Sequence, residues 1–269
     1  VLFLCFNAQL KDYLEENYAR DLVSYYTIAG FACKICNTVK PNYNELKAKL
    51  EDYYISDSFP YKHVIIDEGQ DFGSEAIEET DIIQLIHDII VDADQGGTFY
   101  VFYDRLQLIQ AREMPKFIGD LDCRLTLYRN CRNTENIAVT SLRPITERKP
   151  KVFEGAVKGT PAKIHFCDSA QNGRERIDSI IDDLAADGYR DIVLLTCKTE
   201  ATSILSDSVN NGKYRNKYLF TTCRKFKGLE ADVVILLDVD KTTFEQGNAL
   251  IFYVGTSRCL LYTSDAADD

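Results

Sequence analysis

Short apolar runs without polar alternation recur along this chain of 269 residues, and segments with helical periodicity separate them. A strand that is apolar on both faces has to be covered on both faces, as in a parallel sheet flanked by helices. We predict such strands at residues 1–6, 64–67, 98–104, 191–196, 232–239 and 250–255, and a further strand at 124–128. The strand at 1–6 is expected to be an interior one. The pattern therefore predicts an α/β fold with parallel sheets.

Helices are expected at 8–19, in stretches up to about residue 54, at 74–93 and at 174–186. The segment 74–93 has the clearest apolar face, which includes Ile82, Ile83 and Ile86, and Ser74 is its expected N-cap. A boundary between two sheets is expected at about residues 114–120, because a new strand follows it.

Composition restricts the class of protein. The formal net charge is -11, which weakens any case for broad electrostatic binding of nucleic acid, although a local groove can still be basic. No apolar run approaches the roughly 18 residues of a membrane span. The nine cysteines follow no disulfide framework. We therefore expect a cytoplasmic protein without a membrane partner.

The final segment, CLLYTSDAADD, has a separate interpretation. Its back-translation resembles a transposase sequencing adaptor that has been read in frame. We therefore interpret residues 259–269 as an adaptor artefact, to be left out of the fold prediction.

Two carboxylates follow the strand at 64–66 directly. Ligands of parallel α/β sheets bind at the carboxyl ends of the strands, where Asp67 and Glu68 are expected to lie. An Asp there can hold Mg²⁺ on a nucleoside triphosphate, and a Glu beside it can orient and deprotonate an attacking water. The acid pair alone fits equally well a strand that ends in a solvated acidic turn.

The surrounding motifs separate these alternatives. VIIDEGQDF resembles motif II of superfamily 1 helicases of the UvrD/Rep type, and the further motifs of that family follow in its order. VFYDRLQLI resembles motif III, LTLYRNCRNT motif IV, TTCRKFKGLEADVVIL motif V and FYVGTSR the start of motif VI. Upstream, LFLCFNAQL resembles motif Ia, and YYTIAGFAC resembles the T-F-H segment with Ala29 in place of His. NCRNT and RKFKGLEADVV resemble the bacterial branch often fused to nuclease-related (NERD) domains.

The resemblance implies two RecA-like lobes of the P-loop NTPase type, at residues 1–118 and 119–258, with the first truncated at its N-terminus. ATP and Mg²⁺ would bind in the cleft between them, and single-stranded nucleic acid, DNA more than RNA, would cross their top. A fused or partner nuclease domain would fit the same branch. The implied function is that of an ATP-dependent DNA helicase.

The resemblance also assigns roles to first-lobe residues. Asp67 would hold Mg²⁺, and Glu68, beside the metal, would be the general base. Gln70 and Gln107 would sense the γ-phosphate and the water. Taken alone, Gln107 could equally be a helix-cap or turn residue.

In the second lobe, Arg132 and Arg258 would be arginine fingers that neutralise charge on the transferring phosphoryl group. Glu230 would contact the ribose, and Gly228 would let the backbone approach the nucleotide closely. Outside the motif, Arg132 could be an ordinary surface arginine.

Nucleic-acid contacts follow from the same resemblance. Asn7, Thr27 and Thr222 would touch phosphates. Positive charge would come from Arg224, which stands where the wider family has His, from Lys225 and from Lys227. Base stacking is one interpretation of Tyr100, Phe102 and Tyr103, but packing in the strand core is the interpretation we prefer for at least Tyr100 and Phe102.

One family motif is missing. The phosphate-cradling loop G-x-x-x-x-G-K-[ST] occurs nowhere in the 269 residues. Because this loop precedes motif Ia in the family, we expect the chain to be a fragment that is inactive by itself, from a parent that hydrolyses ATP. The insertions in both lobes are short, which leaves open whether the parent protein separates the strands of a duplex. The alternative function is a nucleotide-gated regulatory or nuclease-associated module that does not unwind.

Overall fold

The computed structural model describes residues 1–73, 77–92, 96–109, 114–119, 121–146, 149–206, 217–245 and 248–268, without the side chains of residues 77, 78, 80 and 261–268. The chain divides into two compact units, which we call unit 1 (Val1–Arg124) and unit 2 (Leu125–Asp269). The sequence-based boundary was between residues 118 and 119.

Unit 1 is an α/β unit built on a parallel sheet. Its elements are β1 (Leu2–Cys5), α1 (Ala8–Tyr18), β2 (Ser24–Thr27), α2 (Ile28–Cys36), α3 (Tyr43–Ser56), β3 (His63–Ile66), α4 (Ile77–Asp92), β4 (Thr98–Val101) and α5 (Lys116–Gly119). The described strands have the order β2-β1-β3-β4, and each pair is parallel. Leu2, Leu4, Val64 and Ile66 are fully buried, and β1 occupies the predicted interior position.

Unit 2 contains a second parallel sheet. Its elements are β5 (Arg129–Asn130), α6 (Glu135–Leu142), β6 (Lys151–Val152), β7 (Lys163–Cys167), α7 (Ala170–Ala186), β8 (Ile192–Thr196), β9 (Leu219–Thr222), β10 (Ala231–Val239), α8 (Ala249–Ser257) and β11 (Cys259–Asp268). The main sheet has the order β7-β11-β10-β8-β9, and β5 pairs with β6. The predicted α/β class with two parallel-sheet lobes is confirmed.

Three sequence-based assignments are wrong. Residues 250–255, predicted as a strand, lie in helix α8, and residues 124–128 form no strand. The stretch up to residue 54, predicted as helical, contains strand β2. Ser74, the expected N-cap of the helix now seen as α4, lies outside the described residues.

The adaptor-like segment has a defined place in unit 2. Strand β11 pairs in parallel with β10 on one side and with β7 on the other. Its position is therefore in the interior of the sheet, whatever the origin of its sequence.

In the described ranges, no helix combines the length and the apolar character that crossing a bilayer requires.

Asp240, just after β10, gives a prediction about acid stability. Burial alone would raise the pKa of Asp240, but hydrogen bonds from Thr242 and Lys198 outweigh it and lower this pKa to about 2. A lowered carboxylate pKa stabilises the fold above the unfolded-state value near 3.8 and ceases to do so as pH falls through about 2. Because this side chain is 19% exposed, solvent screens part of the interaction, and we expect the ionised carboxylate to contribute about 1 kcal/mol to the free energy of unfolding.

We therefore expect Asp240→Asn to lower the free energy of unfolding by about 1 kcal/mol at pH 7 and by almost nothing near pH 2. Urea unfolding across this pH range measures the difference. The control is Glu154→Gln, because Glu154 is mostly exposed and its ion pair with Arg129 is long, at 3.6 Å. A loss at Asp240→Asn that does not change with pH would contradict the assignment.

Candidate functional site

The chain turns sharply where β3 ends. The Asp67 N–H donates to Leu4 O at 3.0 Å, and Asp67 Oδ1 accepts from the Glu68 N–H at 2.9 Å. The Gly69 N–H then donates to Phe102 O at 2.9 Å. A Cβ at Gly69 would clash with Val101 Cγ1, so a larger residue fits there only if Val101 shifts. The turn leaves Asp67 and Glu68 at the carboxyl end of β3, as predicted.

Glu68 has an unusual backbone conformation. Its φ of 55° lies in the left-handed region, which costs a residue with a side chain about 1 kcal/mol. Such strain persists where the surroundings impose it, and it concentrates at functional sites. Asn37, Asp57 and Asp238 share this conformation, so the functional role of Glu68 stays a prediction.

A chain of hydrogen bonds connects Glu68 to Gln107. Gln70 Nε2 donates to Glu68 Oε2 at 2.5 Å, and Gln70 Oε1 accepts from the Asp104 N–H at 3.1 Å. Asp104 Oδ2 in turn accepts from Gln107 Nε2 at 2.9 Å. Gln70 is fully buried and both ends of its amide are engaged, which suits a residue that orients Glu68. Its predicted contact with the γ-phosphate stays a prediction.

Metal binding was predicted at Asp67. Among the described residues, no group of three or more His, Cys, Asp or Glu side chains could hold a metal ion. Mg²⁺ on a nucleoside triphosphate needs only one or two protein carboxylates besides the phosphate oxygens, so Asp67 fits that use. Burial, with the negative charge of Asp67, raises the pKa of the nearby Cys5 to about 12, so this thiol stays neutral.

Unit 2 brings together three of the predicted residues. Arg132 Nε lies 3.6 Å from Glu230 Oε2, and both side chains are about half exposed. The N–H of Ala231, the residue after Glu230, donates to Arg258 O at 3.1 Å. Gly228 precedes this cluster with a φ of 88°, a conformation that favours glycine, and its close approach to the nucleotide stays a prediction.

Arg258 is less accessible than its predicted role requires. It follows α8 and its side chain is only 2% exposed. A direct contact between this guanidinium and a phosphate therefore stays a prediction.

Two asparagines that the sequence-based assignments did not include support the same cluster. Asn130 Oδ1 accepts from the N–H groups of Arg132 and Asn133, both at 3.1 Å. Asn133 is buried and bonds to Asn130 and to the end of α8. The N-C-R-N spacing is a turn signal that could have indicated the first contact.

Three of the residues predicted to touch nucleic acid lie at strand ends, Asn7 and Thr27 after β1 and β2 in unit 1 and Thr222 at the end of β9 in unit 2. Asn7 caps α1 by accepting from the Leu10 N–H at 2.7 Å, and Thr27 caps α2 by accepting from the Gly30 N–H at 3.1 Å. Thr222 Oγ1, at the end of β9, accepts from the Lys225 N–H at 3.2 Å. Helix N-termini are suitable for phosphate binding, but capping alone also explains Asn7 and Thr27.

The predicted positive charges have different environments. Arg224 is exposed, whereas Lys225 Nζ lies 2.7 Å from Glu200 Oε1. Lys227 is almost completely buried, so it supplies no surface charge, and that part of the prediction is wrong.

Tyr100 and Phe102 do not pack in the sheet core. They are 55% and 59% exposed, at and just beyond the end of β4, which is an edge strand in the described sheet. The prediction of strand-core packing is wrong for both residues, because they lie on the face of this edge strand that is exposed to solvent.

Comparisons with known proteins give distant similarities. No protein family and no curated protein matches the sequence. One similar structure is the C-terminal domain of a possible DNA helicase from Lactobacillus plantarum WCFS1, at 14% identity and a TM-score of 0.42. The match covers 51% of this chain and 86% of the helicase domain. The PRRSV helicase is 12% identical over 99% of this chain, with a TM-score of 0.46. The chain spans 46% of the PRRSV helicase. Both TM-scores lie below 0.5, so neither similarity enters the functional argument.

Proposed function

We propose that the chain belongs to a nucleic-acid-dependent ATPase of the UvrD/Rep-type superfamily 1 helicases, which moves on single-stranded DNA. One observation carries the proposal. Residues of different motifs, far apart in sequence, are in contact within each unit. Hydrogen bonds link Glu68 to Gln107 in unit 1, and Arg132 pairs with Glu230 in unit 2. In each unit, the contact joins residues from two different motifs to which the resemblance assigns a role in hydrolysis.

The first-lobe residues would activate the water. Mg²⁺ held by Asp67 would offset the negative charge of the phosphates. Glu68 would orient the attacking water and accept its proton, since its carboxylate is held by Gln70. A change at the phosphates sensed by Gln107 would be transmitted to Glu68 through Asp104 and Gln70, because each residue is hydrogen-bonded to the next.

The second-lobe residues would stabilise developing charge. Arg132 is half exposed and can leave Glu230 for a phosphate oxygen, and Arg258 would act beside it. Glu230 would then accept a hydrogen bond from the ribose. Left-handed Gly228 would allow close approach of the backbone.

Turnover in the presence and absence of DNA tests the proposal. Because the 269 residues lack a phosphate-cradling loop, the assay uses a loop-bearing form, in which a strand, a G-x-x-x-x-G-K-[ST] loop and a helix are fused ahead of Val1. We expect ATP hydrolysis that single-stranded DNA accelerates, and none when the loop lysine is replaced by Ala. Nucleotide binding without hydrolysis would instead favour the regulatory or nuclease-associated module.

A matched pair of variants tests the nucleic-acid contact. Glu200→Gln should release Lys225, so that its ammonium can contact a phosphate. We expect binding to single-stranded DNA to become about threefold tighter, and the slope of log K against log salt concentration to become steeper by about 0.7. Fluorescence anisotropy of a labelled oligonucleotide, measured over a salt series, checks both. Glu154→Gln removes the same charge from the exposed ion pair with Arg129, a residue with no predicted nucleic-acid contact, and should change the slope less. Equal behaviour of the two variants would exclude a specific contact by Lys225.

A further inference from the structure

One buried side chain joins the turn that carries Arg132 to the end of the helix that precedes Arg258. Asn133 is 4% exposed, and its Nδ2 donates to Ser257 O and to Cys259 O, both at 2.9 Å. These carbonyls lie on either side of Arg258. Because both acceptors are main-chain atoms, the contact does not depend on which side chain follows Arg258.

The other end of the Asn133 amide fixes the turn. Asn133 Oδ1 accepts from Asn130 Nδ2 at 2.9 Å. Asn130 Oδ1 accepts from the N–H groups of Arg132 and Asn133. Asn133 therefore uses two donors and one acceptor in a buried network. An ionised Asp cannot donate to the two carbonyls, and an apolar residue would leave them unsatisfied.

We propose that Asn133 is a positioning residue that fixes Arg132 relative to the backbone of Arg258. The consequence for turnover rests on the proposed function, whereas the consequence for the geometry does not. The start of β10 reinforces the arrangement, because Glu230 contacts Arg132 and the next N–H bonds to Arg258 O. With Asn133 in place, the half-exposed Arg132 is held ready for a phosphate next to the backbone of Arg258; without it, the turn that carries Arg132 must find its position separately.

The first test needs no nucleotide. In residues 1–269, NMR resonances of the Arg132 and Arg258 Nε–Hε groups are compared in the wild type, Asn133→Asp and Asn133→Ala. We expect the Arg132 resonance to shift in both variants. The matched control is Asn136→Asp, which removes a single bond to Gly159 O in the same unit and should leave both resonances in place.

A double-variant comparison separates positioning from general destabilisation. Glu230→Gln should shift the Arg132 resonance in the wild type, but much less in Asn133→Asp, where Arg132 no longer faces residue 230. If the Asn133 variants fail to fold, Asn130→Ala cuts only the connection to the Arg132 turn, and it should shift Arg132 without shifting Arg258. Unchanged Arg132 resonances in every folded variant would overturn the inference.

The second test measures turnover in the loop-bearing form. Asn133→Asp should lower kcat by roughly 100-fold with little change in KM, and Asn136→Asp should change neither. A shifted Arg132 resonance with unchanged kcat would overturn the positioning role. If no form hydrolyses ATP while the resonances shift as expected, the geometric inference stands and the proposed function fails.

Discussion

Glu68→Gln should lower kcat for ATP hydrolysis in the loop-bearing form by about 10²- to 10⁴-fold, with ATP affinity nearly unchanged. The amide has the size of the carboxylate, and its oxygen can still accept the hydrogen bond from Gln70 Nε2. It cannot take the proton of the attacking water. Steady-state turnover and equilibrium binding of a fluorescent ATP analogue measure the two quantities.

Stability separates a catalytic Glu68 from a structural one. Because Asp67 and Glu68 are adjacent carboxylates, Glu68→Gln should leave the free energy of unfolding equal or slightly higher. Glu79→Gln is the matched control: Glu79 is buried, and its carboxylate accepts from the Gly73 N–H at 3.2 Å. We expect this control to lower stability and to leave the kcat of the folded protein unchanged. The opposite pattern, in which Glu68→Gln unfolds the protein and spares turnover, would make the acid pair structural.

Arg132→Ala should lower kcat by about 10³- to 10⁵-fold, which is the effect expected of an arginine finger. Arg132→Lys should restore little of this, because lysine lacks the planar fork that meets two phosphate oxygens. Single-turnover hydrolysis in the loop-bearing form is the measurement, since it separates the chemical step from product release.

The matched control lies three positions earlier. Arg129 is also half exposed and also lies near a glutamate, Glu154, at 3.6 Å. Arg129→Ala removes the same charge from the same segment and should have little effect on kcat. Equal losses for Arg129→Ala and Arg132→Ala would mean that Arg132 acts only through the charge of the surface.

The uninterrupted apolar runs predicted most of the sheet correctly. β1, β3, β8 and β10 lie where these runs indicated, because an apolar strand covered on both faces leaves a clear pattern. The same pattern misassigned residues 250–255. Helix α8 is buried around almost its whole circumference, and a short apolar run cannot distinguish such a helix from a buried strand.

Two other errors have different causes. Ser24–Thr27 was missed because four residues rich in tyrosine, adjacent to a helical pattern, give little periodicity. Residues 124–128 alternate as a strand does, but Leu125 and Leu127 are almost fully exposed, and no described strand pairs with them. Alternation predicts a strand only where a sheet is present to cover one face.

The site was partly predictable. Motif resemblance pointed to Glu68 and Gln107, which hydrogen bonds link in unit 1, and to Arg132 and Glu230, which lie side by side in unit 2. It did not indicate the burial of Gln70 or the bridging role of Asn133, because those depend on tertiary register. The bonds from Asn133 to Ser257 O and Cys259 O join positions more than 120 residues apart in sequence, and no local pattern encodes them.

Trapping of a transition-state mimic tests the proposed function most directly, because Asp67 and Arg132 are both proposed to act on the nucleotide. The loop-bearing form is incubated with Mg²⁺, ADP, aluminium fluoride and single-stranded DNA, and the ADP retained after gel filtration is counted. We predict retention by the wild type and its loss both in Asp67→Asn, from unit 1, and in Arg132→Ala, from unit 2. Retention that requires Asp67 but is indifferent to Arg132 would contradict the account.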